Sequence, residues 1–187
     1  MLDIHAGERP IFLIGHSMGA ILTLRMAAHP LWERLGDIDV AGVPLQYGPE
    51  MKAVIDHYFA TGERTKGDVN TLRAMFYGPD GSYNPAYTVE INRLHTVPAL
   101  ELADAFRAPS VLPSLMMQIK VPVQWTIAEH ERSSIGGHAM LDRVTKSLPS
   151  AKRVLTHLQI NSGHNISVHH VARAYHTSVC LFLKNAD

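Results

Sequence analysis

The pentapeptide Gly-His-Ser-Met-Gly at 15–19 constrains the fold more than any other feature of the sequence. It follows an apolar run rich in β-formers at 10–14 and precedes a run of good helix formers at 20–28, which stops before Pro30. A serine with a glycine two residues away on either side suits a strained turn between a strand and a helix, because the glycines leave space where the backbone passes close to its neighbours. The pattern predicts a strand, a tight turn that exposes the Ser17 hydroxyl, and a buried helix.

Strands and helices are predicted to alternate again in the last third of the chain. The patterns indicate strands at 121–128 and 153–158, and helices at 140–148 and 168–183. A further strand is expected at 38–45, although its glycine and proline weaken the pattern. Strand–helix–strand–helix order implies parallel strands joined by crossover helices.

The segment 50–117 has a different character, since its patterns predict several short helices and no strand. Helices are expected at 51–59, after Asp68 as a helix-capping residue, and from Pro98 onward, where proline suits the first turn. The chain therefore reads as an α/β sheet interrupted by a helical insertion.

Composition excludes several classes of function. The 187 residues contain 17 Lys+Arg and 17 Asp+Glu, so no net charge attracts nucleic acid or anionic lipid. The apolar runs are shorter than the ~20 residues that a membrane span needs. The first residues lack the basic and long apolar regions of a secretory signal, so none is expected. The single cysteine, Cys180, cannot form an internal disulfide. The 12 histidines show no zinc-ligand spacing. We expect a cytoplasmic domain that uses no metal or cofactor and has no nucleic-acid partner.

Candidate partners for the Ser17 hydroxyl follow the later strands. A serine is a good nucleophile only when a histidine takes its proton and an acid orients that histidine. His164 follows the last predicted strand and is the candidate histidine. Glu131 and Glu129 follow the strand before it, and Glu50 follows the strand at 38–45. The order of strands by itself leaves the acid open among these three glutamates.

Three separated motifs resemble the α/β-hydrolase superfamily. Gly-His-Ser-Met-Gly-Ala at 15–20 resembles its nucleophile elbow, 121–131 resembles the strand and loop of its acid, and 162–164 resembles its histidine loop. The resemblance covers nearly all of the chain and implies an α/β-hydrolase fold, a mostly parallel sheet with a helical cap insertion. The domains so implied are a hydrolase core carrying the elbow at 1–49, a cap at 50–117, and a hydrolase core carrying the acid and histidine loops at 118–187.

The resemblance also implies a role for each site residue. Ser17 matches the nucleophile, His164 the general base, and Glu131 the acid, which in the family is more often an aspartate. The resemblance thus favours Glu131, with Glu129 and then Glu50 as the alternatives. The backbone N–H of Met18 would help to bind the oxyanion. The implied function is hydrolysis of a small-molecule carboxylic ester or thioester through an acyl-enzyme on Ser17. Two alternatives stay open: a thioesterase that edits acyl carriers, and an inactive hydrolase-fold domain that only binds a ligand.

The position of Ser17 implies two further expectations. In the family, a second oxyanion donor comes from a loop well upstream of the serine, whereas here 16 residues precede Ser17. We therefore expect an N-terminally truncated fold, whose first strand at 11–14 has an unpaired apolar edge. The cap is expected to line an apolar acyl pocket. The side chains predicted for this pocket are Tyr58, Phe59, Met75, Phe76, Met116 and Met117.

Overall fold

The sheet of the protein is parallel throughout, as seen in a computed structural model that describes residues 10–30, 34–63, 69–87 and 98–184. Four strands lie side by side in the order in which they occur in the chain. They are β1 (Ile11–His16), β2 (Leu35–Ala41), β3 (Val123–Ala128) and β4 (Val154–Gln159). β3 is buried along its whole length, as expected for a central strand of a parallel sheet covered on both faces.

Helices cross over between neighbouring strands. Helix α1 (Met18–Ala28) connects β1 to β2, and a helix at His138–Ser147 connects β3 to β4. A short 3₁₀ turn (Ile166–Val168) and a closing helix at Ala172–Lys184 follow β4. This arrangement confirms the predicted α/β class with a parallel sheet.

The regular elements that the structure describes between β2 and β3 are helices, and none of them is a strand. The α-helices among them are α2 (Pro49–Thr61), α3 (Val69–Tyr77), α4 (Ala99–Phe106) and α5 (Ala108–Met116), so that the two later helices are α6 (His138–Ser147) and α7 (Ala172–Lys184). Asp68 lies outside the described residues. The boundaries of the predicted cap stay a prediction, but α5 packs onto α1 in the core, where Leu112 and Met116 are fully buried.

The core has two parts, one on each face of the sheet. Helices α1, α5 and α6 cover one face, where Trp125 of β3 is the largest fully buried side chain. Helix α7 covers the opposite face with a smaller cluster. That cluster consists of Ala41, Ala128, Ile166, Tyr175 and Val179. The strands therefore lie in the middle of three layers, and their carboxyl ends share one edge.

A buried polar cluster joins α7 to the centre of the sheet. Asp39 of β2 is fully buried and accepts hydrogen bonds from the Tyr175 hydroxyl at 2.8 Å and from Gln124 Nε2 at 3.0 Å. Burial raises the pKa of Asp39 to about 6, although these two donors counteract part of the rise.

Two predicted elements are displaced along the chain. The strand expected at 38–45 begins at Leu35 and ends at Ala41, because Gly42 has a φ of 66°, a left-handed conformation that turns the chain out of the strand. The closing helix begins at Ala172 instead of 168, because the 3₁₀ turn precedes it. No described helix has the length and apolar character to cross a bilayer.

Candidate active site

Ser17 occupies a strained turn between β1 and α1. Its φ of 56° and ψ of −122° are unusual for a non-glycine residue, and its N–H donates to the Ala41 carbonyl at 2.9 Å. A Cβ on Gly15 would lie 2.4 Å from Thr23 Oγ1, so only glycine fits there. A Cβ on Gly19 would have no atom within 4 Å outside its own helix turn, so the predicted need for space holds at Gly15 and not at Gly19.

Met18 is the first residue of α1. The first N–H groups of a helix have no acceptor within the helix, and the helix dipole favours negative charge at that end. The turn therefore places the Ser17 side chain beside backbone donors that suit a developing oxyanion.

His164 and Glu131 are in direct contact. His164 Nδ1 lies 2.8 Å from Glu131 Oε2, and the two side chains are 4% and 1% exposed. Ser133 donates to the other oxygen of Glu131 twice, from Oγ at 2.6 Å and from its backbone N–H at 3.0 Å. Burial by itself would raise the pKa of Glu131, but His164 and the Ser133 donors outweigh it and lower that pKa below its ordinary value.

The two alternative acids bind elsewhere. Glu129 accepts the backbone N–H of Asn161 at 2.8 Å, and its side chain is 42% exposed. Glu50 forms a surface ion pair with Arg132. Of the three glutamates considered, the structure brings only Glu131 to His164.

Ser17 and His164 line one small cavity of about 130 Å³. Besides the histidine, its described lining contains no ionisable side chain except Tyr47, whose hydroxyl donates to the Ala105 carbonyl at 2.6 Å. The remaining lining is mostly apolar and comes from several elements. Its members are Met18, Ile21, Gly42, Pro44, Met51, Phe76, Leu102, Ala105, Phe106 and Ser133.

The prediction of the pocket-lining side chains is mostly wrong. Of the six residues named from the sequence, Phe76 lines the cavity. Met116 belongs to the core, and Met117 is 61% exposed. Apolar side chains on short helices do not reveal from sequence which neighbour they will face.

The second nitrogen of the His164 ring, Nε2, is available to accept a proton. Nε2 is buried and has no hydrogen-bond partner among the described residues. A neutral imidazole that donates from Nδ1 carries a lone pair on Nε2, which is the state that a general base requires. Among the described residues, no three His, Cys, Asp or Glu side chains are grouped so that they could hold a metal ion.

Two neighbours of His164 were not predicted from the sequence. His16 Nε2 lies 2.8 Å from the His164 carbonyl, so it donates there, and the two rings are 4.8 Å apart. Desolvation, reinforced by His164, lowers the pKa of His16. A Cβ on Gly42 would lie 2.9 Å from His164 Cε1. Both contacts join residues more than 100 positions apart, so no local signal could have found them.

The sequence matches no protein-family model and no curated protein. Solved structures do match. The monoacylglycerol lipase of Paleococcus ferrophilus superposes with a TM-score of 0.70 at 16% identity, over 97% of this chain and 70% of that one. The carboxyl esterase of Bacillus coagulans superposes with a TM-score of 0.70 at 15% identity, over 99% of this chain and 67% of the esterase. The enol-lactonase of Burkholderia xenovorans LB400 superposes with a TM-score of 0.67 at 17% identity, over 98% of this chain and 69% of the lactonase.

These likenesses establish the fold. The chain has the α/β-hydrolase fold, and it spans about 70% of the length of the lipase structure that it matches. The fold puts the turn at Ser17, the loop of Glu131 and the loop of His164 at the carboxyl ends of β1, β3 and β4. Ligands of open α/β sheets bind outside this edge.

Proposed function

We propose that the protein is a serine hydrolase that cleaves a carboxylic ester or thioester through an acyl-enzyme on Ser17. The observation that carries this proposal is the buried contact between His164 Nδ1 and Glu131, beside a cavity that His164 shares with Ser17. The strained backbone of Ser17 supports it, because strain of this kind clusters at active sites.

In the acylation step, Ser17 Oγ attacks the carbonyl carbon of the substrate while His164 Nε2 takes the hydroxyl proton. Glu131 holds the ring in the tautomer that leaves Nε2 free, and its charge stabilises the imidazolium that forms. The carbonyl oxygen becomes an oxyanion, to which the Met18 N–H donates. The tetrahedral intermediate collapses, the bond to the leaving oxygen or sulfur breaks, and His164 returns the proton to that atom.

In the deacylation step, a water molecule replaces the leaving group. His164 takes one proton from the water as its oxygen attacks the acyl carbon, and then passes that proton to Ser17 Oγ as the ester bond breaks. The carboxylic acid leaves, and Ser17 and His164 return to their starting states. No electron transfer or cofactor is needed for this balance.

The cavity favours an uncharged acyl group. Its lining is largely apolar, so a carboxylate or ammonium on the acyl group would lose its hydration without a charged partner among the described residues. The proposed substrates are therefore neutral esters or thioesters of small apolar acids.

We extend the proposal to the helical insertion, which would act as a cap over this cavity. Met51 of α2 and Leu102 and Phe106 of α4 supply part of the lining. Helix α4 is also tied to α1 by the ion pair between Arg25 and Asp104, at 2.6 Å. Residues that cover a site in this way exclude water and shape the acyl pocket.

Labelling by a fluorophosphonate probe tests the nucleophile. The wild-type protein should be labelled, and Ser17→Ala should not. Ser167→Ala is a matched control, because Ser167 Oγ also contacts a histidine, His176, at 3.0 Å, but on the exposed surface. This control should be labelled like the wild type. Equal labelling of Ser17→Ala and the wild type would overturn the proposal.

Two further outcomes separate the alternatives. Turnover of an oxyester and a thioester of the same short acid by the wild-type protein distinguishes an esterase from a thioesterase. Binding of that acid without any labelling or turnover would favour the inactive binding domain.

A further inference from the structure

Three consecutive residues of the histidine loop are each held through their backbone by a different part of the chain. The His164 carbonyl accepts from His16 Nε2, and the Asn165 N–H donates to the Phe76 carbonyl at 2.9 Å. The Gly163 N–H donates to His169 Nε2 at 2.9 Å. The first two contacts come from the elbow and from the end of α3. The third comes from a histidine to which the proposed reaction assigns no role.

Both ring nitrogens of His169 contact backbone groups, one in the histidine loop and one in the turn that follows α3. His169 is 4% exposed, and its Nδ1 lies 3.3 Å from the Ser82 carbonyl, in the turn that follows α3. The Tyr83 ring stands edge-on to it at 5.7 Å, and residues 83 and 169 form an isolated antiparallel bridge. His169 thus connects the histidine loop to the helical insertion.

The two contacts specify one protonation state of the ring. Gly163 can only donate, so His169 Nε2 must accept and carry no proton. Nδ1 then carries the single proton of the neutral ring and donates it to Ser82. Desolvation lowers the pKa of His169, with a smaller opposite contribution from the Ser82 carbonyl, while His170 and His130 add to the lowering. The neutral form that the geometry requires is therefore the favoured one.

The histidine loop passes close to the end of α3 at Gly163. A Cβ on Gly163 would lie 2.6 Å from the backbone nitrogen of Gly78 and 2.7 Å from the carbonyl carbon of Tyr77. Gly78 in turn has a φ of 69°. Close packing therefore sets the direction of the Gly163 N–H, which points at His169 Nε2.

We propose that His169 is a positioning residue for the active site, which accepts the Gly163 N–H on Nε2 and donates from Nδ1 to Ser82, and so fixes the backbone that carries His164 against the helical insertion. The proposal rests on the proposed function in taking His164 as the general base. His169 itself does not line the cavity and takes no part in the bond changes of that mechanism.

Two variants separate this role from simple packing. In His169→Gln the side-chain amide oxygen can reach the place of Nε2 and accept the Gly163 N–H. In His169→Asn the shorter amide reaches only the place of Nδ1, so the bond to Ser82 can survive while the Gly163 bond is lost. With an activated ester of a short acid, His169→Gln should keep kcat within about threefold of the wild type, whereas His169→Asn should lose about tenfold or more in kcat with little change in KM.

Nitrogen-15 NMR of the imidazoles gives a test that needs no turnover. In the wild-type protein at neutral pH, His169 should be neutral with its proton on Nδ1, and the His164 Nδ1 proton bound to Glu131 should appear far downfield. The downfield signal should persist in His169→Gln and disappear or broaden in His169→Asn. If His169→Asn does not fold, the wild-type tautomer of His169 and the downfield signal of His169→Gln still test the proposed role of His169.

Three results would overturn the inference: a wild-type His169 protonated on Nε2, an equal kcat for the Asn and Gln variants, or an unchanged His164 signal in His169→Asn. A wild-type protein without Ser17-dependent turnover would contradict the proposed function alone. The tautomer and the downfield proton are measured without substrate, so they would still report whether His169 positions the loop.

Discussion

His164 and Glu131 form a buried pair whose atoms Nδ1 and Oε2 are 2.8 Å apart. Among the described residues, the carboxylate receives three donors, one from His164 and two from Ser133. A carboxylate satisfied in this way stays ionised in spite of its burial, and it holds the imidazole in one tautomer. This contact supports the proposal that Glu131 is the acid, and the first prediction tests it.

Glu131→Gln should lower kcat about 10³-fold while the protein stays folded, because an amide neither fixes the productive tautomer nor stabilises the imidazolium. Glu129→Gln is the matched control from the same loop. Its carboxylate binds the Asn161 N–H, so its loss should leave kcat nearly unchanged. Steady-state kinetics on one ester checks both variants. A larger loss in Glu129→Gln than in Glu131→Gln would transfer the role to Glu129.

Gly42→Ala should impair catalysis through His164. The new Cβ would lie 2.9 Å from His164 Cε1, and the φ of 66° is unfavourable for alanine. Gly62→Ala provides the control, since Gly62 has a φ of 73° but no atom within 4 Å of an added Cβ. Both variants should lose about 1 kcal/mol or more of unfolding free energy from backbone strain. Only Gly42→Ala should also lose kcat. Equal kcat values in the two variants would contradict this account.

Asp39 should make the protein less stable as the pH rises. Its folded pKa of about 6 is above the unfolded value of 3.8, so its contribution is complete below pH 3.8 and is lost as the pH rises through 6. The full loss amounts to about 3 kcal/mol. Urea unfolding of Asp39→Asn across this range should lack that loss, because asparagine does not ionise.

The control for this titration is Asp56→Asn, which removes an exposed carboxylate paired with Lys52. Its unfolding free energy should follow the wild type at every pH. Parallel curves for Asp39→Asn and the wild type would show that burial of Asp39 does not raise its pKa.

The size of the cavity should limit the acyl chain. A volume of about 130 Å³ is close to that of engineered cavities that hold one benzene molecule, so acyl groups of up to about six carbons should be preferred. Leu102→Ala should shift the preferred length upward by about two carbons, because Leu102 lines the cavity. Leu100→Ala, on the same helix but 86% exposed, should not shift it. A series of nitrophenyl esters measures the profile, and identical profiles for the two variants would contradict this placement of the pocket.

The first strand should promote self-association. Within the described residues, β1 pairs on one side only, and its Ile14 and Phe12 side chains are 62% and 37% exposed. Ile14→Thr should therefore lower light scattering in concentrated solution. Leu181→Thr removes a similarly exposed side chain, at 56%, from helix α7 and should have a smaller effect. A larger decrease in light scattering from Leu181→Thr than from Ile14→Thr would place the self-association surface on α7 instead.

Much of the fold could be predicted because its signals are local. The Gly15–Gly19 turn lies between an apolar strand and a helix, and the backbone conformation of Ser17 depends on those immediate neighbours. The parallel sheet followed from the alternation of strand and helix patterns. The strand expected at 38–45 lies at Leu35–Ala41 instead, because Gly42 ends it with a left-handed conformation that only the fold reveals.

The amino-acid sequence by itself determined the α/β class, the turn at Ser17, and a short set of candidate acids and histidines. Only the tertiary structure decided which of them meet. Glu129 and Glu131 lie on one loop with similar local patterns, and it is the approach of the β4 loop that brings His164 to Glu131 and Asn161 to Glu129. The contacts of His16, Gly42 and His169 with the histidine loop were likewise decided by packing. Such contacts depend on strand order and side-chain direction, which no stretch of sequence specifies alone.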